Sequence, residues 1–420
     1  MLANSDLALR LFLQLALILT VGRLVGWLAR LIQQPQVVGE MIAGILLGPS
    51  LFGWVWPAAQ GWLFPGQSMS LLFGLSQVGV ALYMFLVGVE FHTGLLVGRL
   101  RRAFSVSLAG TLVPLALGAG IGYGLARQPG LFGAKAHPND AALFLGTALA
   151  ITAFPVLARI IQTRGLAGTP LGTLVLAAGA VSDGAAWCVL AVVLATLDHS
   201  WLLAAKAIGG AGAYAALVLT LGPKVFGRLN RQAERGGGVS QPILATTLLL
   251  VLLGAWFTDA IGIHPVLGAF LLGAAMPRGV LSRELLRLLE PVTVVLLLPL
   301  FFVYSGLNTR LDLVNTPTLW SITVLLLAAA CVGKGGACWL AARFHGEEPR
   351  AALAVGTLMN ARGLMELIIA NIGLQRAIIQ PPMFSMLVTM AIVTTLLATP
   401  AFEWVYGTRA RRAGLLGPAV

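Results

Sequence analysis

The sequence predicts an all-α polytopic membrane protein of about thirteen transmembrane helices. Composition is the first observation. Of 420 residues, 58% are hydrophobic and only 10% charged, and the mean hydropathy is +0.91. A soluble domain carries about a quarter charged residues. Length is the second: apolar runs of about 20 residues, enough to cross roughly 30 Å of hydrocarbon, follow one another along the whole chain. The third is the placement of the positive residues, which alternates from loop to loop.

Thirteen segments are read at 7–31, 36–54, 69–91, 101–127, 141–163, 171–197, 201–226, 241–258, 262–277, 288–308, 318–343, 350–373 and 383–407. With an outside N-terminus, the inner loops and tail hold 18 basic residues, Arg99, Arg101, Arg102, Arg228 and Arg409 among them. The outer loops hold four: Arg127, Lys135, Arg310 and Arg376. This bias predicts an N-terminus outside and a C-terminus inside. The net charge of +12 is therefore a topology signal. It does not form the basic patch with interleaved aromatics that nucleic acid requires.

Other classes drop out as quickly. Cys188, Cys331 and Cys338 all lie inside apolar segments, so neither a disulfide framework nor a CxxC metal pair exists. The first apolar stretch is too long for a cleavable signal and lacks a positive n-region. The tail after Phe402 is too short to fold alone, so no soluble domain is expected. GxSxG, HExxH, GxGxxG and phosphate-loop patterns are all missing, so the chain is not expected to be an enzyme or to carry a cofactor.

An internal echo then organises the segments. The second opens Pro35-Gln36-Val37-Val38-Gly39 and continues to Gly44 and Gly48-Pro49. The ninth opens His264-Pro265-Val266-Leu267-Gly268 and continues to Gly273 and Met276-Pro277. Phe85 to Glu90 in the third is echoed more loosely by Phe302 to Asn308 in the tenth. The copies lie seven segments apart, an odd number, so they face opposite ways across the bilayer. Helix packing alone explains the glycines, but not the shared order of Pro, Val, Gly and Gly-Pro or Met-Pro. The expected layout is an inverted repeat of helices 2–6 on helices 9–13, as in many secondary transporters.

An ionisable side chain at mid-bilayer costs about 2.5–3.5 kcal/mol even on insertion scales, so each one here needs a reason. Asp183 lies in the sixth segment, roughly 18 Å along its helix, with Ser182 before it as a neutral oxygen. The competing account is a buried carboxylate satisfied by nearby hydroxyls. Arg362 lies at similar depth in the twelfth segment, with Glu366 four residues on, a spacing that pairs them on one helix face. The structural role leads for that pair. Lys334, within Gly333-Lys334-Gly335-Gly336, either neutralises Asp183 or snorkels to the surface. Thr152-Ala153-Phe154-Pro155 falls at the centre of the fifth segment. Pro155 removes a backbone donor, and a helix broken there offers loose carbonyls to a cation; a plain proline kink is the alternative. Glu40 and Glu90 near the inner ends of helices 2 and 3, and His264 and Asp259 near the outer surface, read as interface anchors or gates as readily as ligands.

These residues resemble the monovalent cation:proton antiporters of the sodium/hydrogen exchanger superfamily. The nearer likeness is to the branch of the glutathione-gated potassium-efflux and spore-germination antiporters and the plant cation/H⁺ exchangers. It covers nearly the whole chain. It is carried by Pro35-x-Val37-Val38-Gly39-Glu40 with Leu47-Gly48-Pro49, Phe85-Leu86-Val87-Gly88-Val89-Glu90, Ile151 to Arg159, Ser182-Asp183, Gly268-Ala269-Phe270 with Met276-Pro277-Arg278, Pro299 to Phe302, and Met359 to Leu364. The resemblance implies two crossing broken helices, 5 and 12, beside the acid on helix 6. It also implies scaffold and dimerisation helices at 1–98 and 240–312, translocating core helices at 99–198 and 313–420, and a linker helix at 199–239. A homodimer in a bacterial-type cell membrane is expected. Asp183 then matches the ion- and proton-binding aspartate, with Thr152 in the first unwound stretch. Lys334 matches the lysine that pairs with a second aspartate in electrogenic members. Here Ser182 stands in that aspartate's place, which resembles the electroneutral members. The nucleotide-binding regulatory domain of the potassium-efflux relatives is not seen. The expectation is exchange of Na⁺ or K⁺ for H⁺, cation and proton competing for Asp183, by elevator-type alternating access. A sodium-coupled organic-solute symporter and a cation channel are the alternatives.

Overall fold

The computed structural model describes residues 4–31, 34, 36–91, 100–134, 136–197, 201–308, 316–414 and 416. Pro35, Arg99, Lys135 and Arg310, used above for a motif and for the loop charges, lie outside them. The described residues are helical almost throughout, and the one β interaction among them is an isolated antiparallel bridge between Phe132 and Ile379.

We number the helices by segment. They are α1 (Asn4–Leu31), α2 (Gln36–Leu47), α3 (Gly66–Glu90), α4 (Leu100–Leu125), α5a (Pro138–Ala150), α5b (Phe154–Thr163), α6 (Pro170–Leu197), α7 (Trp201–Arg235), α8 (Gln241–Ala260) and α9 (Pro265–Ala274). There follow α10 (Val280–Val292, continuing to Leu307), α11 (Pro317–Ala330, continuing to Phe344), α12a (Pro349–Met359), α12b (Leu364–Gln375) and α13 (Pro381–Phe402). Prolines open α5a, α9, α11, α12a and α13, where the missing N–H would have had no intrahelical partner anyway. The apolar faces left to the outside, such as Phe12, Trp256 and Trp404, are ordinary for a lipid-facing surface.

Among the described residues, eleven stretches are long and apolar enough to cross a membrane. The two expected segments that do not qualify depart for physical reasons. The one at 262–277 is the ten-residue helix α9, about 15 Å long and so half a bilayer core. The one at 350–373 is cut in two between Met359 and Leu364.

Side-chain ion pairs gather the arginine-rich ends on one face. Arg102 meets Glu347 at 2.8 Å and Arg164 meets Glu403 at 3.2 Å, with Arg411 also on Glu403. Burial, and secondarily the charge of Arg411, lower the Arg164 guanidinium to about 10, so it stays charged at neutral pH. On the opposite face the strand-like contact is fixed by Gly133 N–H donating to Ile378 O at 3.0 Å and Gln380 N–H to Leu131 O at 2.9 Å. Below, the two sides are called the arginine-rich and arginine-poor faces.

The inverted repeat is visible in the packing. α2 crosses α10 at Gly44 and Gly306, where a Cβ on Gly44 would stand 2.8 Å from the Gly306 Cα. α9 crosses α3 at Gly273 and Gly88, where a Cβ on Gly88 would stand 3.0 Å from the Gly273 Cα. Gly44 and Gly273 are the glycines that match in sequence, and each meets a glycine on the neighbouring segment of the other half. Close backbone approach through small residues is how membrane helices associate without a hydrophobic drive.

Candidate functional site

Helices 5 and 12 each lose their regular turns at mid-chain, at 151–153 and 361–363, and the two breaks touch. The Ala153 N–H donates to Ala361 O at 3.1 Å across the crossing. Each break leaves a helix C-terminus with free carbonyls and a helix N-terminus with free N–H groups inside the protein.

The C-terminal end of α5a is taken up by two cations. Arg362 Nη1 donates to Ala148 O at 3.1 Å and Nη2 to Leu149 O at 2.7 Å. Lys334 Nζ donates to Gly110 O at 3.0 Å and to Ala150 O. Both side chains are buried, at 1% and 0% exposure. Cations belong at this end, where the macrodipole is negative and the last carbonyls lack partners. Lys334 therefore does not snorkel. It stands in a π-type stretch of α11, Cys331–Gly336, of the sort that often marks functional positions.

Arg362 also pairs with Glu366 at 3.3 Å. The expected pair is present, but not along one regular helix face. Arg362 sits in the unwound stretch, and Glu366 is in the first turn of α12b, where a carboxylate complements the positive helix end. The break is pinned from α13: Arg362 N–H donates to Thr395 Oγ1 at 3.0 Å, and that hydroxyl lies 2.8 Å from both Arg362 O and Ala391 O of its own helix, sharing one hydrogen between them.

Asp183 is treated differently. It is fully buried, and neither carboxylate oxygen has a hydrogen-bond partner among the described residues. The Thr152 hydroxyl, also fully buried, has none either. The register of α6 brings the two to one level. A Cβ on Gly179 would meet Leu157 and Phe154 at the start of α5b, at 2.7 and 3.4 Å. α6 runs back against α5b, so one turn further along it Asp183 stands level with the 151–153 break. The Lys334 ammonium is near enough to act on it electrostatically. Ser182 turns instead toward α4, its Oγ 3.0 Å from Ser107 Oγ. A carboxylate without partners in a dry interior is costly; a proton or a small cation is what removes that cost.

Residues 16–406 match the protein family described as sodium/hydrogen exchanger, transmembrane. The chain belongs to that family. The Na(+)/H(+) antiporter NhaS4 of Synechocystis sp. is 40% identical over 408 residues, 96% of this chain and 98% of that protein. Cation/H(+) antiporter 18 of Arabidopsis thaliana is 35% identical over 97% of this chain, which spans 51% of the plant protein. Among solved structures, the sodium proton antiporter MjNhaP1 of Methanocaldococcus jannaschii superposes with a TM-score of 0.62 at 14% identity, covering 98% of this chain and 100% of that one. At that identity the likeness shows the fold. This exchanger-family member is an integral membrane protein and not an enzyme.

A cavity opens toward each of the two faces. On the arginine-rich face, one of about 310 Å³ is lined by Arg30, Gln36, Glu90, Arg159, Gln162 and Glu290. Glu90 accepts from Gln162 Nε2 at 2.7 Å, and Tyr83 donates to Gln162 Oε1 at 2.7 Å. Glu40 is buried in α2 and accepts from Gln36 at 2.8 Å; it is packed inside the protein and not at a membrane interface. On the arginine-poor face, a larger cavity of about 550 Å³ is lined by Trp187, Leu203, Lys206, Asp259 and His264 among others. His264 is itself buried and accepts at Nδ1 from Val266 N–H as the cap of α9.

Thr395, Ser107, Gln162 and Tyr83 escaped the sequence reading. Each is a neutral polar residue in an apolar run, and hydroxyls there commonly bond back to their own helix, as Thr394 does to Met390 O at 2.9 Å. Only the fold distinguishes Thr395 from Thr394.

Proposed function

We propose that this family member exchanges a monovalent cation, Na⁺ or K⁺, for H⁺ across the membrane, with Asp183 as the group for which they compete. The observation that supports this most directly is the pair of unpartnered Asp183 oxygens level with the unpartnered Thr152 hydroxyl at the crossing of two broken helices. The names of the relatives point the same way. Cation and proton are the substrates, and Thr152 supplies a neutral oxygen beside the carboxylate, whereas Ser182, expected as a second, is engaged with Ser107.

Charge balance favours one cation per proton. Lys334 and Arg362 offset ionised Glu366 and Asp183. Binding H⁺ or a monovalent cation at Asp183 then adds the same single charge. A carrier that moves with either load moves the same net charge, so exchange is electroneutral. Arg362, Lys334 and Glu366 hold the crossing and compensate its charge, and Glu40 and Glu90 line or back the approach from the arginine-rich face.

In this reading the segments 99–198 and 313–420 travel as a core against scaffold helices at 1–98 and 240–312, linked by 199–239, in elevator fashion. The protein acts as a homodimer in a cell membrane with its arginine-rich face in the cytoplasm.

Reconstitution in liposomes holding a pH dye tests this, with Na⁺, K⁺ or Li⁺ added and the voltage clamped by an ionophore. Cation-triggered proton movement, insensitive to voltage and lost in Asp183→Asn, is the expected result. Undiminished proton-coupled flux in Asp183→Asn overturns the site. Voltage-dependent flux overturns the one-for-one stoichiometry, and unsaturable current marks a channel.

A further inference from the structure

One face of α9 packs against the elements that carry and flank Asp183. Its residues at three-residue spacing, His264, Leu267 and Phe270, each meet a residue on the Asp183 side. The His264 ring stacks on Trp187 of α6, centroids 5.4 Å apart and planes at 27°. Leu267 lies over Gly184, where a Cβ would meet its Cδ2 at 3.4 Å. Phe270 packs edge-on against Phe154 at the start of α5b, centroids 4.8 Å apart and planes at 81°, and also against Phe91 at 5.4 Å. The middle contact is at the residue next to Asp183. The His264–Trp187 contact borders the 550 Å³ cavity, and Phe91 borders a separate void of about 10 Å³ whose lining shares Glu90 and Gln162 with the 310 Å³ cavity.

We infer that the Trp187–His264 stack is the gate that closes the Asp183 site toward the arginine-poor face, the Phe154–Phe270 contact being its counterpart toward the other. Trp187 is one turn from Asp183 and on the same side of α6, so its indole lies between the carboxylate and the cavity. The two aromatic contacts differ in how they can part. An edge-to-face pair interlocks, and separating it needs the rings to withdraw from each other. A near-parallel stack can slide along its own plane while keeping contact, so the two contacts part by different motions. This gate also has a polar edge, the imidazole, facing the cavity from which a hydrated cation would come.

The inference rests on Asp183 as the exchange site, but its test does not need transport. Cys188, Cys331 and Cys338 are replaced by alanine, Asp183→Cys is introduced, and its rate of modification by a membrane-impermeant thiol reagent is followed in right-side-out and inverted vesicles. Adding Trp187→Ala should raise the rate about three- to tenfold from the arginine-poor face only, the span expected for loss of one aromatic pair. Adding Phe270→Ala should raise it from the opposite face only. His264→Ala repeats the first test with the tryptophan kept, should the larger truncation not fold. An unchanged rate, or an equal rise from both faces, overturns the gate. Failure of Asp183 as the exchange site is read separately, from flux in Asp183→Asn.

Discussion

The two helix breaks occupy equivalent places in the repeat, yet their chemistry is opposite. At 361–363 most polar groups are engaged: Arg362 reaches two carbonyls and Glu366, and Thr395 from α13 bonds its backbone, which leaves Arg362 Nε, Glu366 Oε2 and Asn360 Oδ1 without partners among the described residues. At 151–153 the Thr152 hydroxyl has no partner, and α6 contributes a carboxylate, Asp183, with none either. One copy of the repeat has become a clamp and the other a binding place. A buried polar network that is largely satisfied rigidifies a fold, whereas a carboxylate with no partner on either oxygen stands ready for a ligand. The duplicated geometry supplies the broken helices; the residues placed on them decide which break is used.

That contrast can be broken at several points. The largest expected effect is on Asp183→Asn, which should abolish cation-triggered proton movement while melting no lower than the parent protein, because the amide removes a buried charge without a partner. A variant that unfolds instead would assign Asp183 to the clamp.

Arg362→Ala comes next. It strands Glu366 and the Ala148 and Leu149 carbonyls, and loss of one partner from a buried pair costs about 3–5 kcal/mol. Thermal unfolding in detergent should show a large drop, with Arg362→Lys restoring only part of it, since an ammonium cannot reproduce the planar fork. Normal melting together with lost flux would make Arg362 an ion-site residue and erase the distinction between the breaks.

The sharpest comparison is between two threonines. Thr395→Val removes a hydroxyl with two partners at the Arg362 backbone and should destabilise by about 1–3 kcal/mol. Thr152→Val removes a hydroxyl with none. It should leave the melting point equal or raised, while weakening cation affinity by about tenfold if that oxygen is a ligand. Equal destabilisation by both would mean that Thr152 has a structural partner after all.

The smallest effect is expected away from both breaks. Arg102–Glu347 on the arginine-rich face has a side chain 36% exposed, and Arg102→Gln should cost no more than about 1 kcal/mol. A larger loss there would show the face itself to be part of the clamp.

Much of the molecule was readable from the residues alone. Apolar run length and arginine placement gave the all-helical membrane fold, because hydrocarbon tolerates few other structures. Paired Pro-Val-Gly signatures revealed the repeat, and the rarity of charge at mid-bilayer singled out Asp183, Lys334, Arg362 and Glu366. Those are one-dimensional signals, set by the solvent and by chain length.

What the tertiary structure decided is how each of those charges is used. Sequence left Lys334 between neutralising Asp183 and snorkelling; packing placed it on Gly110 and Ala150 carbonyls that no local pattern connects to it. Spacing put Arg362 and Glu366 on one helix face and the resemblance implied a break in helix 12; only the fold shows what meets that break, Ala153 N–H donating to Ala361 O and the Ala148 and Leu149 carbonyls accepting from Arg362. Sequence did not distinguish Thr395 from its neighbour. Burial and hydrogen-bond satisfaction depend on residues from 33 positions away for Thr395 to 224 for Lys334, and such partners meet only when the helices pack against each other.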